Sequence, residues 1–250
     1  MKDYIVIQAR VGSKRFPNKV LKKINNKTIL ETIIARLKKT VLKNNIIVAT
    51  SKLKRDDQIK KICNKNKVKC FKGSELDLVK RYCECVNKYK ISNIIRITSD
   101  CPLVDPKLVD KFYEFFKKND YEYVSNTTPP KVSTYPDGSD IEIFSKKILF
   151  FTNKKCKNKF EREHLTNYMW RNNICKTYTF KTKKNNSNFR YSIDYETDLK
   201  AVKYIFQLLK KENKFGYMHE VIETIKKNKF IYSIFNNNKK KYLKNRKDLS

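Results

Sequence analysis

The chain has 250 residues, 40% of them hydrophobic, which is enough for one large core. No apolar run approaches the ~20 residues of a membrane span. Because charged residues lead directly into the first strand, we expect no signal peptide. Its formal net charge is +33, which is compatible either with a nucleic-acid-binding surface or with a lysine enrichment that has no function of its own. Its seven cysteines form no C-x-x-C pair, so we expect reduced thiols and a cytoplasmic protein.

The first half of the chain predicts strands and helices in alternation. Short apolar or β-branched runs predict strands at residues 4–7, 45–50, 68–71 and 93–98. Helical spacing of apolar residues predicts helices at residues 27–39, 56–64, 75–89 and 108–118, with Gly73 and Ser74 capping the third and Pro106 leading the fourth. This alternation predicts a mostly parallel sheet with helices on both faces, an α/β fold that binds ligands beyond the carboxyl ends of its strands.

The second half contains shorter elements. Alternating or apolar runs predict strands at residues 121–126, 140–144, 174–181 and 189–195, and helical patterns cover residues 146–155, 160–172, 196–211 and 219–228. We find no linker, and therefore predict one domain over residues 1–235, with halves 1–120 and 121–235. The Lys- and Asn-rich residues 236–250 are expected to form a frayed basic tail.

A cationic loop follows the first strand. Its side chains of interest are four cations, a glycine and a serine: Arg10, Gly12, Ser13, Lys14, Arg15 and Lys19. Such residues suit a polyanion, because glycine allows close approach of backbone N–H groups while the cations neutralise charge, and a nucleotide triphosphate is the expected ligand. The loop is neither a Walker A nor a dinucleotide glycine motif. A solvated basic loop is the alternative, and partners elsewhere in the chain must decide between the two.

Two carboxylates are candidates for holding a metal ion opposite this loop. Asp100 follows the strand at residues 93–98, and Asp194 ends the alternating run at residues 189–195. Carboxylates at the carboxyl edge of a sheet suit Mg²⁺ that also contacts phosphate oxygens. Alternatively, Asp100 caps the helix led by Pro106 or the loop before it. Asp198 and its neighbour Glu196 are expected to cap the following helix.

At this point five blocks of sequence resemble the spore-coat polysaccharide biosynthesis protein F family of cytidylyltransferases, which is similar to the CMP-Kdo and CMP-sialate synthetases. The blocks are QARVGSKRFPNK at residues 8–19, RITSDCPLVD at 96–105, YPDGSDIEIF at 135–144, REHLT at 162–166 and YSID at 191–194. The resemblance implies a nucleotide-diphospho-sugar transferase fold, with a small β-rich elaboration in the second half. It also implies a reaction in which a sugar hydroxyl attacks the α-phosphate of a nucleoside triphosphate, with CTP as the expected one, and releases pyrophosphate.

The same resemblance implies roles for individual residues. The nucleotide would contact Ala9, Arg10, Gly12, Ser13, Arg15, Lys19 and Asp77. Arg15, Lys19 and Asp100 would be catalytic, and Asp100 and Asp194 would bind Mg²⁺, which can lower the pKa of the attacking hydroxyl. The acceptor sugar would contact Asp140, Glu142, Arg162 and His164, with Asp137 and Glu163 nearby. For His164, a structural hydrogen-bonding role is the alternative.

Three functions are therefore compared. The leading one is a Mg²⁺-dependent cytidylyltransferase that activates a sugar or sugar acid for a surface polysaccharide or glycan. No specific nucleic-acid partner is expected for it, and the resemblance suggests a homodimer, because the related synthetases are commonly dimers. A metal-dependent glycosyltransferase of the same fold would need a D-x-D motif, and Ser99-Asp100-Cys101 is not one. A nucleic-acid-binding protein is disfavoured because lysines are spread over all elements and aromatic residues are not interleaved as stacking platforms, although weak polyanion binding is expected.

Overall fold

A seven-stranded sheet organises residues 2–244, the part of the chain that the computed structural model describes. Seven of the nine strands form it and the second and third make a separate ribbon: β1 Lys2–Gln8, β2 Lys23–Ile24, β3 Lys27–Thr28, β4 Ile46–Ser51, β5 Lys69–Gly73, β6 Ile91–Thr98, β7 Tyr123–Ser125, β8 Glu142–Ser145 and β9 Thr177–Thr179. The strand order is β5-β4-β1-β6-β8-β7-β9, and of these strands β8 is the one that pairs antiparallel with its neighbours. The expected mostly parallel sheet is confirmed.

Helices cover both faces of this sheet. They are α1 Ile29–Leu37, α2 Asp57–Lys65, α3 Leu78–Tyr89, α4 Pro106–Lys118, α5 Lys146–Lys155, α6 Lys159–Glu163, α7 Asn167–Arg171, α8 Glu196–Lys211, α9 Met218–Lys227 and α10 Lys229–Lys244. Alternate residues of β1 enter two cores: Ile5 and Ile7 pack with α1, α4, α8 and α9, whereas Tyr4 and Val6 pack with α3, α5 and α7. Within residues 2–244, none of the helices is both long and apolar enough to cross a bilayer.

The first half of the chain follows its predicted order, and the structure identifies the caps of two of its helices. Helix α3 begins at Leu78 rather than at residue 75, because the Asp77 carboxylate accepts the Lys80 N–H and caps the helix there. Helix α4 is capped by Asp105, which accepts the N–H groups of the first helical turn. Asp100 is therefore not the cap of α4.

The second half departs more from its predicted elements. The helix expected over residues 160–172 is broken into α6 and α7, because Leu165 adopts a left-handed backbone (φ 54°) and turns its side chain into the core. The run at residues 189–195 is not a strand, apart from a single bridge between Asp137 and Arg190. Its backbone instead bonds to two loops: Ile193 N donates to Asp100 O, and Tyr191 N donates to Asp137 O.

The expected frayed tail is helical where the structure describes it. Helix α10 runs to Lys244, and it packs on α8 and α9 with Ile231 and Phe235 buried. Ile231 and Phe235 lie just before residue 236 and fix the first half of the helix, since an amphipathic helix is stabilised mainly by the core it covers. The tail residue Asn238 adds hydrogen bonds to Thr197 and Asp198. Residues 245–250 lie outside the described part. All seven cysteines have free thiols.

Candidate active site

The cationic loop between β1 and the short 3-10 turn Lys19–Leu21 is held from below by buried groups. Val11 N donates to the carboxylate of Asp56 over 2.7 Å, and Asp56 is completely buried. Ala9 and Phe16 are also buried, so the loop rests on the core. Lys14 and Arg15 are exposed, whereas Lys19 is buried. Sequence reasoning missed Asp56, because its partner lies 45 positions away in the chain.

Gly12 gives this loop room for an arginine. A Cβ atom at Gly12 would lie 2.7 Å from a terminal nitrogen of the Arg55 guanidinium. That guanidinium also forms an ion pair with Glu75, which lies in the segment between β5 and α3. The glycine therefore lets Arg55 join the cationic loop to the segment that leads to Asp77, one of the residues expected at the nucleotide.

Lys19 is the point at which the predicted site residues converge. Its ammonium donates to the carbonyl of Ile193 over 2.8 Å, and it lies 3.4 Å from Asp100 Oδ2 and 3.4 Å from Asp194 Oδ1. The guanidinium of Arg15 contacts the same Asp194 oxygen over 2.6 Å. Two cations from the N-terminal loop and two aspartates far along the chain thus meet at the carboxyl edge of the sheet, the arrangement expected from the sequence.

The charges in this cluster change the ionisation of Asp100. Burial raises the pKa of this carboxyl. The Lys19 ammonium and hydrogen bonds from Thr98 and Cys101 lower the pKa by a larger amount, so that it is about 2. Burial raises the pKa of the Cys101 thiol well above its ordinary value. Cys101 therefore remains a thiol, with its Sγ 3.5 Å from Asp100 Oδ1 and 3.7 Å from Asp140 Oδ2. Asp100 is ionised and ready to hold a cation.

A buried arginine organises the acidic side of the site. Arg190 contacts Asp194 Oδ2 over 3.0 Å, Asp198 Oδ1 over 2.8 Å and Asp137 Oδ2 over 3.2 Å. Burial lowers the pKa of Arg190, but these three carboxylates raise it more, so the guanidinium stays charged. Burial and the neighbouring Asp140 raise the pKa of Asp137 to about 7, against the opposing effect of Arg190. The sequence reasoning did not assign Arg190 a role.

The structure joins one residue expected at the nucleotide to one expected at the acceptor. Arg162 Nε lies 2.8 Å from Asp77 Oδ2. The same guanidinium donates to the side chain and carbonyl of Asn153 and to the carbonyl of Cys156. Arg162 therefore holds α6 against the start of α3, and any contact with the acceptor would compete with these bonds.

The other residues expected at the acceptor occupy different surroundings. Asp140 adjoins Asp100 through Cys101, and it accepts hydrogen bonds from Gly138 N and Thr127 Oγ1, each over 2.8 Å. Asp140 is therefore beside the cluster around Lys19.

Glu142 lies inside the protein. It is 4% exposed, and its two oxygens bind Arg96, Tyr123 and Thr166. His164 ends α6 with its ring 4.3 Å from the Phe160 ring, and the preceding Glu163 reaches Arg10 over 3.5 Å. The roles of these residues toward a substrate stay predictions.

The aspartates of the cluster have the chemistry that Mg²⁺ requires. Asp100 Oδ2 and Asp194 Oδ1 contact one ammonium, so a single cationic centre already reaches a hard oxygen from each carboxylate. Mg²⁺ on a nucleotide commonly takes one or two protein carboxylates and completes its shell with phosphate and water. Among residues 2–244, no three His, Cys, Asp or Glu side chains come together as a metal cage. The two aspartates fit the expected ion.

Comparison with known proteins agrees with this fold. A family model described as cytidylyltransferase matches residues 4–242. An uncharacterized protein of Methanocaldococcus jannaschii is 40% identical over 179 residues, which are 71% of each chain. The spore coat polysaccharide biosynthesis protein SpsF of Bacillus subtilis is 35% identical over 127 residues, 48% of this chain and 53% of that protein. The alignment with SpsF thus spans about half of its length.

Two solved structures identify the fold by superposition. A cytidylyltransferase from Leptospira borgpetersenii superposes with a TM-score of 0.86 at 34% identity, covering 95% of this chain and 98% of that one. A CMP:2-keto-3-deoxy-manno-octonic acid synthetase complexed with CTP superposes with a TM-score of 0.65 at 18% identity, over 83% and 99% of the two chains. The nucleotide-diphospho-sugar transferase fold is confirmed, and the chain belongs to the cytidylyltransferase family.

Proposed function

We propose that this cytidylyltransferase uses CTP to activate a sugar or sugar acid for a surface polysaccharide or glycan. The observation that carries the proposal is the cluster in which Lys19 and Arg15 meet Asp100 and Asp194 at the carboxyl edge of the sheet. The similarity to SpsF and to a 3-deoxy-manno-octulosonate cytidylyltransferase of Hydrogenovibrio crunogenus, 31% identical over 127 residues, supports a sugar-acid or polysaccharide pathway.

The reaction would be a displacement at the α-phosphorus of CTP. The acceptor hydroxyl oxygen forms a bond to that phosphorus, the bond from phosphorus to the bridging oxygen breaks, and pyrophosphate leaves. Such transfers need alignment of the reactants and neutralisation of charge more than covalent help from the protein. Arg15 and Lys19 supply fixed positive charge next to the place where the phosphates would lie.

The aspartates would bind Mg²⁺ in this scheme. Bound Mg²⁺ supplies positive charge to phosphate oxygens and can lower the pKa of a hydroxyl. Asp100 is ionised at neutral pH because Lys19 and its hydrogen bonds keep its pKa at about 2. Asp194 already presents one oxygen to the cations of the cluster. The protein thus offers one oxygen from each aspartate to the ion.

The test begins with nucleotide binding. In a thermal-shift screen of the four nucleoside triphosphates with Mg²⁺, CTP should stabilise the protein most, and at about a hundred times its Kd should add ~2.7 kcal/mol. Pyrophosphate release from CTP should then depend on a sugar or sugar-acid acceptor. Asp100→Ala and Asp194→Ala should abolish release, whereas Asp120→Ala, at a side chain that is 99% exposed, should not. Unchanged turnover in both site variants would refute the metal assignment.

Location and assembly complete the proposal. We place the enzyme in the cytoplasm, where CTP is made, and we propose a homodimer as its working form. Light scattering on the purified protein tests the second statement, since a mass of one 29.9 kDa chain at all concentrations would contradict it.

A further inference from the structure

The last helix of the chain is linked to the candidate active site through side chains. Asn238 lies on α10, and its amide nitrogen donates to Asp198 Oδ1 over 2.7 Å and to Thr197 Oγ1 over 2.8 Å. Asp198 is completely buried at the start of α8. Helix α10 therefore contacts a charged group in the interior rather than only covering the core.

Asp198 in turn binds the segment that carries Asp194. Its Oδ2 accepts the N–H groups of Asp194 and Tyr195 over 2.8 and 2.9 Å, which confirms the expected capping role. Both of its oxygens also contact Arg190, over 2.8 and 3.3 Å. Asp198 thus fixes both the backbone of Asp194 and the guanidinium beside it.

Arg190 determines which way the Asp194 carboxylate faces. The guanidinium holds Asp194 Oδ2 over 3.0 Å, which leaves Oδ1 directed at Lys19 and Arg15. Rotation of the carboxylate would break bonds on both sides in an environment where Asp194 is 5% exposed. Asp194 is therefore held in the one orientation that presents an oxygen to the site.

We propose that Arg190 is a positioning residue for Asp194, and that Asp198 and Asn238 extend this positioning to the C-terminal helix. The inference rests on the proposed function, because it takes Asp194 as a ligand of the ion that accompanies CTP. It adds that the ion site depends on a contact made by α10. Partners of this kind orient the groups that hold a metal ion, and their loss typically weakens metal affinity or activity by roughly 10- to 100-fold.

The test compares Arg190→Lys, Asn238→Ala and the pair combined. Asn237→Ala is the matched control, because Asn237 is exposed on the same helix. Binding of Mn²⁺ in the presence of CTP is measured by electron paramagnetic resonance, together with melting temperature, kcat and KM. Arg190→Lys should weaken Mn²⁺ binding by roughly 10- to 100-fold. Asn238→Ala should weaken Mn²⁺ binding less than Arg190→Lys does, and its melting temperature should be close to that of Asn237→Ala. The inference can therefore be tested with Asn238→Ala alone if Arg190→Lys does not fold.

The combined variant separates positioning from general stabilisation. Residues of one network are not additive, so the double variant should lose less Mn²⁺ affinity than the product of the two single losses. Wild-type Mn²⁺ binding in a folded Asn238→Ala variant, or losses that simply multiply, would overturn the inference. If wild type binds Mn²⁺ and CTP without releasing pyrophosphate while the variants bind weakly, the proposed function fails and the positioning role stands.

Discussion

Replacing Lys19 with glutamine removes the charge at the centre of the cluster. Breaking a buried ion pair by removal of one partner costs roughly 3–5 kcal/mol, and breaking an exposed pair costs about 0–1 kcal/mol. The side chains of Lys19 and Asp194 are 11% and 7% exposed, and that of Asp100 is 29% exposed. Because Arg15 and Arg190 still neutralise Asp194, we expect a loss of about 2–3 kcal/mol and a melting temperature lower by roughly 4–12 °C.

Urea denaturation at neutral pH measures this loss, and Mg²⁺ should recover part of it by neutralising the two aspartates. Lys23→Gln is the control, since Lys23 is exposed on the neighbouring ribbon. A free energy of unfolding within about 0.5 kcal/mol of that control, the range of ordinary surface substitutions, would refute the reasoning.

Acid titration gives a second readout of the same contact. The pKa of Asp100 is about 2 in the folded protein and 3.8 ordinarily. A carboxyl whose pKa is lowered by folding stabilises the protein above pH 3.8, and this stabilisation is lost as the pH falls from about 4 to 2. In Lys19→Gln the pKa of Asp100 should rise, which carbon-detected NMR of the carboxyl group can follow. An unchanged titration would show that Lys19 does not control Asp100.

Further predictions concern the loop and the net charge. Asp56→Asn should lower the free energy of unfolding in urea by about 1.5–3 kcal/mol, because Val11 N loses a charged acceptor, and should raise KM for CTP. The exposed Asp57→Asn is the control, and an equal effect of the two substitutions would contradict this prediction. Glu163→Gln should raise CTP affinity by up to about fivefold in calorimetry, because it frees Arg10 from an exposed competing carboxylate; unchanged or weaker binding would count against this. Filter binding to DNA should be weak, independent of sequence and steeply weakened by salt. Tight, sequence-selective binding at physiological salt would instead favour a nucleic-acid-binding protein.

The parts of the fold that the sequence predicts are those governed by local patterns. β-branched runs in the sequence predict the buried strands. The predicted bounds of the amphipathic helix α8 agree with the observed ones, Glu196–Lys211. The meeting of Lys19 and Asp100 also follows from topology, because the loops after the neighbouring parallel strands β1 and β6 share one edge. Asp194 reaches this edge on a segment that is not a strand and that bonds to the Asp100 loop through Ile193 N.

The parts that the sequence did not predict depend on partners distant in the chain. The break at Leu165 exists because that side chain enters a core assembled from other elements, and no breaker residue marks it. Helix α10 carries the lysines of a typical tail, yet Ile231 and Phe235 supply the apolar side that α8 and α9 cover. Arg190 did leave a signal, since a cation inside an apolar run must find carboxylates when it is buried.

The ammonium of Lys19 acts as a resident counterion for two acids that would otherwise repel each other. Together with Arg15, it offsets the charges of Asp100 and Asp194 before any ligand arrives. An incoming magnesium ion would exchange with, or share, a place that a cation already fills. Recruitment of that ion would then depend on the extra negative charge of the phosphates, which would couple metal entry to nucleotide entry.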